Sequence, residues 1–416
     1  MEIMVDTGDR QRHSQAARSR DRLDTAVRGS RDRGDTGQVA PSITLDAFVG
    51  RRHAIERSLV CAMQGQFPVL ARGAVGGELV VVFRTGASHY GLSGTLATAW
   101  STDGGRQWSD PSEVAPRGQD IRNPALGVTE DGRWLLAYWR AGARCYPAAS
   151  SGDRRWRVPT SPDDDVPDLF VVASGDRGRT WSAPRPQRSA RLAWASPFGR
   201  IITAADGELV MAAYGPPRDA AATRSAARFD AIVLRSRDGG TTWGDESLVL
   251  ADASELSLCV TRDRLIGAVR RGEADTAIVH SLDGGTTWST PIVVTRPGEH
   301  PADLCVLRNS GHLLLTFGRR RRPLGCGALT SGDGGATWDT AHEVLLAGDG
   351  IGNDVGYPST VQLDDGTLVT VMYFARGSAA SEPSDGWGET SCQALRYDES
   401  LVVAIAPASS AAEPSR

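Results

Sequence analysis

No lysine occurs anywhere in the 416 residues; all 46 basic side chains are arginine, a bias that the base composition of the coding sequence accounts for. Cysteine is sparse and unpatterned. Its six positions (61, 145, 259, 305, 326 and 392) form no CxxC pair and no metal-ligand spacing, so they read as buried, reduced thiols, and no metal or cofactor is expected. No apolar run is long enough to span a bilayer, and the N-terminus lacks the apolar h-region of a secretory signal, so the default expectation is a cytoplasmic protein. The net charge of −4 and a pI near 6.0 favour neither nucleic acid nor an anionic membrane as a partner. Apolar residues are nearly missing from positions 1–45, where Arg10, Arg12, Arg18, Arg20 and Arg22 alternate with Asp6, Asp9, Asp21 and Asp24. Such a segment cannot build a core and is expected to be disordered, as a loose tail is expected over 407–416.

What the chain has in plenty is one phrase. Ser-x-Asp-x-Gly-x-x-Trp occurs five times, from Ser101 to Trp108, Ser174 to Trp181, Ser236 to Trp243, Ser281 to Trp288 and Ser331 to Trp338. These residue types describe a hairpin turn in which Ser and Asp side chains bond backbone amides, Gly takes a positive φ and Trp packs beneath. The spacings suit four-stranded propeller blades with insertions in the first two intervals. A second repeat, a turn followed by an apolar run, appears six times: at Gly77–Phe83, Asp131–Tyr138, Asp206–Ala213, Asp263–Val269, Gly311–Phe317 and Asp365–Val371. The fold expected is therefore all-β, a six-bladed β-propeller over residues 46–406. A strand near Ser58–Met63 should close the ring against the last blade, since an open edge is a liability. Loop excursions are expected at Gly142–Asp168, Pro216–Arg228 and 375–390.

Each apolar hairpin is preceded by a short strand whose opening is polar. The innermost strands of a propeller run along its axis, so Gln66, Asn123, Glu255, His300 and Tyr357 at these openings, with Arg122 beside them, are candidates to ring a shared pocket. The second strands end in cations, among them Arg84, Arg270 and Arg319. Several Arg facing a few carboxylate, imidazole and phenol groups suit an anionic ligand.

The Ser-x-Asp-x-Gly-x-x-Trp phrase is the Asp box, and the chain from about Val60 to Tyr397 resembles the sialidase superfamily of BNR-repeat proteins. In that family the boxes are structural, which leaves their Asp residues without a catalytic role. Glu255-Leu-Ser-Leu followed by Val269-Arg270 is similar to the segment bearing the catalytic Glu and the second Arg of the carboxylate-binding triad. Gly318-Arg319, an Asp box and Gly356-Tyr357-Pro-Ser-Thr are similar to the region bearing the third Arg and the Tyr nucleophile. Two positions depart from the family. Gln66-Phe67-Pro68 stands where the first triad Arg belongs, and Phe83-Arg84-Thr-Gly-Ala-Ser-His89-Tyr90 places His89 where the acid/base Asp belongs. With Arg122-Asn123-Pro124, the chain is similar to a divergent sialidase-like branch.

The resemblance implies a sialidase-like glycoside hydrolase acting on an exposed anionic sugar, a carbohydrate being the expected partner. His89, Glu255 and Tyr357 would be catalytic, and Gln66, Arg84, Arg122, Asn123, Arg270, His300 and Arg319 would bind substrate. Weak or absent cleavage of a standard sialic acid substrate is expected. A lyase acting on uronic-acid-containing glycans and a non-catalytic carbohydrate-binding propeller are the alternatives.

Overall fold

The computed structural model describes residues 55–403 except 74–75, 88, 115–117, 146–167, 219–227 and 377–388. The expectations for 1–45 and 407–416, and most of those for the excursions at 142–168, 216–228 and 375–390, fall outside the described residues. Within them the chain is β-structure, with helix confined almost wholly to short 3-10 turns.

The sheets follow one another as antiparallel meanders. β1 (Ile55–Cys61) is set aside until the end of the chain. β2 (Gln66–Arg72), β3 (Leu79–Thr85), β4 (Thr95–Ser101) and β5 (Ser112–Glu113) form the first sheet. β6 (Asp120–Val128), β7 (Trp134–Ala141), β8 (Asp168–Ser174) and β9 (Arg185–Gln187) form one half of an eight-stranded sheet. β10 (Ser196–Thr203), β11 (Leu209–Gly215), β12 (Asp230–Ser236) and β13 (Gly244–Ala251) form the other half. A short parallel pairing, Gly199 with Ala125 and Arg200 with Leu126, joins the halves. Two four-stranded sheets follow, β14 (Leu256–Val260), β15 (Leu265–Arg271), β16 (Asp275–Ser281) and β17 (Ile292–Val293), then β18 (Glu299–Val306), β19 (Leu313–Arg319), β20 (Gly325–Ser331) and β21 (Val344–Ala347). The last sheet comprises β22 (Gly356–Gln362), β23 (Leu368–Arg376), β24 (Glu389–Tyr397) and, paired antiparallel to β24, the N-terminal β1.

Period-two alternation explains why the second strand of each meander is apolar throughout. In β3, Leu79, Val81 and Phe83 face Val369 and Val371 of the last sheet, whereas Val80 and Val82 face Leu136 and Tyr138 of β7. The same division places Leu135 with Met211, Val210 with Val269, Ile266 with Leu315, and Leu314 with Met372. The core thus lies between sheets, and the arrangement is propeller-like.

The five Asp boxes share one construction. In the first, Gly105 N donates to Ser101 Oγ at 2.7 Å, and the amides of Arg106 and Gln107 donate to Asp103 Oδ1 at 3.0 Å. The Gly at this offset has φ between +80° and +88° in all five copies. Trp108, Trp181, Trp243, Trp288 and Trp338 each pack on a different inter-sheet cluster. Near the axis, Arg200 of β10 donates to Asp303 of β18 at 2.9 and 2.8 Å. Asp303 also accepts from Ser257 of β14 and from the Thr360 amide of β22, so one ion pair stitches four first strands together.

Candidate active site

The polar openings of the first strands are shaped by β-bulges. Register shifts fall at Gln66/Val69, Arg122/Ala125, Phe198/Ile201, Glu299/Ala302 and Gly356/Ser359. Phe67, Asn123 and Tyr357 each precede a proline and each adopt φ of +53°. A bulky residue in the left-handed region is strained, and such strain collects where a side chain must be aimed. Strand direction puts these openings at one end of every sheet and the Asp boxes, which begin at the ends of third strands, at the other.

At the bulged end lies a cleft of about 1250 Å³, open mouth included, with Arg122, Glu255, Arg270, Arg320 and Tyr357 in its wall. Tyr357 OH donates to Glu255 Oε1 at 2.6 Å. Ser254 Oγ donates to Glu255 Oε2 at 2.6 Å, and Arg270 approaches both carboxylate oxygens at 3.3 and 3.4 Å. Burial alone would raise the Glu255 pKa, but Arg270 and the two hydroxyl donors outweigh it and hold the carboxyl down at about 2. Burial and the same carboxylate push the Tyr357 phenol well above its ordinary value. The resting pair is therefore a neutral phenol and an anion.

His89 lines the cleft with its ring edge against Phe67. Burial, then Arg122, Arg320 and Arg84, hold its pKa well below the usual imidazole value. Arg122 donates to the His89 carbonyl at 3.0 Å and lies between the rings of Tyr90 and Trp139, at 4.2 and 4.4 Å. Asn123 Nδ2 donates to Ser196 Oγ and Tyr214 OH, at 2.8 and 2.9 Å, and lines the same space.

Four of the expected substrate contacts lie elsewhere. Arg84 is fully buried outside the cleft wall, paired with Asp120 at 2.5 Å and donating to the Ile121 carbonyl. Arg319 continues the alternation of β19 into the sheet interface, where it meets Glu343 and, at 4.0 Å, Glu299. His300 is buried with Nε2 3.3 Å from the Glu273 carbonyl, and burial with Arg270 and Arg320 nearby lowers its pKa to about 4. Gln66 sits behind His89, its Nε2 3.2 Å from Nδ1. The cleft instead uses Arg320, the residue after Arg319. Its guanidinium lies 6.0 Å from the centre of the Tyr357 ring and makes no hydrogen bond or ion pair to another described residue.

Sequence reasoning also passed over Trp139, Trp194 and Phe229, an edge-to-face series along one wall, and Glu273 at the rim, which binds Arg270. Asp354, 3.3 Å from His89 Nε2, was likewise missed; burial pushes its carboxyl up to about 6, partly offset by Tyr373 and Arg320. The aromatic residues read as ordinary core, and nothing around Asp354 in the sequence marks it.

Residues 160–370 match a family described as a BNR repeat-like domain. No curated protein matches. Among solved structures, a Dyadobacter fermentans protein of unknown function is similar at 21% identity and a TM-score of 0.66, over 83% of this chain and 99% of its own. A Hadza microbial sialidase is similar at 20% identity and a TM-score of 0.62, over 82% and 66% of the respective chains. A Trypanosoma rangeli sialidase in complex with sialic acid is similar at 14% identity and a TM-score of 0.58, over 83% and 59%. The chain thus spans the bacterial protein almost entirely but under two thirds of either sialidase. At these identities the likeness is one of fold.

Proposed function

The chain belongs to the BNR repeat-like family, and on that premise we propose that it is a sialidase-like glycoside hydrolase acting on an anionic sugar. The observation carrying this reading is the Tyr357–Glu255 hydrogen bond of 2.6 Å inside an open cleft, with the Arg320 guanidinium over the phenol ring and bonded to no other described residue. The same reading counts the halves of the eight-stranded sheet as two blades, which makes the propeller six-bladed.

Tyr357 is the nucleophile. An anomeric carbon bearing a carboxylate repels an anionic attacker, and a neutral phenol avoids that cost. Glu255, held near pKa 2, is too weak a base to ionise Tyr357 at rest. Its proton therefore passes to Glu255 Oε1 only as the oxygen–carbon bond forms and the phenol becomes acidic. His89 gives a proton to the departing glycosidic oxygen and later accepts one from the attacking water. Arg320 and Arg122 hold the anionic group, while Arg270 keeps Glu255 ionised.

Purified protein screened against aryl glycosides of neutral and acidic sugars and against acidic oligosaccharides tests this. The expected outcome is release from an anionic glycoside, with standard sialic acid cleaved weakly or not at all because Gln66 stands where a sialidase has an Arg. A product absorbing in the ultraviolet as a 4,5-unsaturated sugar would replace hydrolysis by elimination. Binding of acidic oligosaccharides without turnover would leave a carbohydrate-binding propeller.

A further inference from the structure

Both ring nitrogens of His89 are engaged. Nδ1 lies 3.2 Å from Gln66 Nε2, an amide nitrogen that can only donate, so Nδ1 presents its lone pair there. Nε2 lies 3.3 Å from Asp354 Oδ1, so in the neutral ring the hydrogen sits on Nε2 and faces a carboxylate. Tyr373 of β23 donates to that same oxygen at 2.8 Å, which fixes the Asp354 side chain against the ring. Asp354 Oδ2 is buried with no hydrogen-bond partner among the described residues. Rotating the Gln66 amide would reverse the pattern and move the hydrogen to Nδ1, so the two arrangements are distinguishable by where the ring carries it.

The charges around the imidazole divide sharply. Arg84 of β3, Arg122 of β6 and Arg320 beyond β19 all oppose a second proton on the ring, and burial acts in the same direction. Asp120 pairs with Arg84 at 2.5 Å and lies 4.0 Å from Arg122. Asp354 is the carboxylate in direct contact with the ring, and Tyr373 beside it is held neutral by burial. An imidazolium at this place depends on Asp354.

Resting on the hydrolase reading above, we propose that Asp354 is a positioning residue for His89: it holds the ring as the Nε2–H tautomer and, while ionised, supplies the counter-ion when the ring takes up a second proton. A proton given to the glycosidic oxygen in the first half-reaction and one recovered from the attacking water in the second return the ring to the charge it started with.

The test reads the ring and not turnover. Protein labelled with ¹⁵N at histidine is followed by NMR across pH, with the His89 signals identified by their loss in His89→Gln. At pH 8 the wild type should show the Nε2–H tautomer, and on acidification the ring should gain its second proton before the protein unfolds. Asp354→Asn keeps the shape and the acceptor but removes the charge, and should lower that midpoint by about one unit or more, a tenfold loss of proton affinity. An Nδ1–H tautomer in the wild type, a ring that stays neutral to the unfolding limit, or an unchanged midpoint in Asp354→Asn would overturn the proposal. Should Asp354→Asn fail to fold, the wild-type tautomer and titration decide. A carboxylate serving only to anchor Tyr373 would change the melting temperature without moving the midpoint. Failure of the hydrolase reading would appear as a silent glycoside screen beside an intact His89–Asp354 titration.

Discussion

Replacing Tyr357 by Phe removes one oxygen, and the structure sets how that loss divides between stability and activity. Glu255 is not orphaned, because Ser254 Oγ remains at 2.6 Å and Arg270 at 3.3 and 3.4 Å. The ring keeps its contacts with Phe67, Phe198 and Tyr373. One hydrogen bond to a charged acceptor is worth roughly 1.5–3 kcal/mol, and with two other donors retained the loss should be near 1.5. Against a typical stability of about 5–15 kcal/mol this leaves the variant folded at 25 °C. Loss of the nucleophile closes the covalent route, and kcat/KM on a responsive aryl glycoside should fall by about 10⁴ or more, some 5.5 kcal/mol of barrier. Urea unfolding and initial rates measured on one preparation separate the two effects. A Tyr357→Phe variant retaining more than about a tenth of wild-type kcat/KM would remove Tyr357 from the chemistry.

Arg320→Ala should weaken binding of the anionic substrate by tens-fold or more, seen in KM, with melting unchanged because no described residue bonds its guanidinium. Trp243→Ala should cost about 3–5 kcal/mol in urea unfolding while kcat per folded molecule stays within about twofold, since the side chain is buried between sheets far from the cleft. The Asp-box carboxyls give a pH signature. Asp176, Asp238, Asp283 and Asp333 are held at about 2, chiefly by threonine hydroxyl donors, below an ordinary value of 3.8. A depressed folded pKa contributes stability above the unfolded value and loses it as pH falls, so the melting temperature should decline between about pH 4 and pH 2. Thr242→Val should shallow that decline, and an identical profile would mean the box donors do not set it.

The repeat made the architecture legible from the chain alone, because each copy carries its own turn chemistry and each apolar run is flanked by sheets on both faces. The strand openings were legible too: a polar residue at the start of a strand that turns apolar at once has few other uses, and Glu255, Asn123 and Tyr357 lie in the cleft wall. Where reading failed, the sequence held two answers of equal local quality. Within the run from Arg319 to Arg322, only the end of β19 decides which guanidinium turns inward, and strand bounds are the least readable feature of a sequence. Arg84 has the composition of a ligand-binding residue, but its partner Asp120 is 36 positions away and pairs only through the first contact of β3 with β6. Asp354 lies in a glycine-rich stretch without periodicity, so nothing local marked it apart from a turn residue.

Because the six largest hydrophobic clusters are each shared between two neighbouring meanders, and the last meander packs on the first, no meander owns a core that it could keep by itself. Detaching one meander exposes two apolar faces and strips one face from each of its neighbours, so partial unfolding is nearly as costly as complete unfolding. β1 and β24 form the seam at which this circuit closes, with residues over 300 positions apart in register. The cleft inherits that cooperativity: Glu255 and Tyr357 come from different sheets, and their 2.6 Å contact persists only while the circuit of interfaces is unbroken.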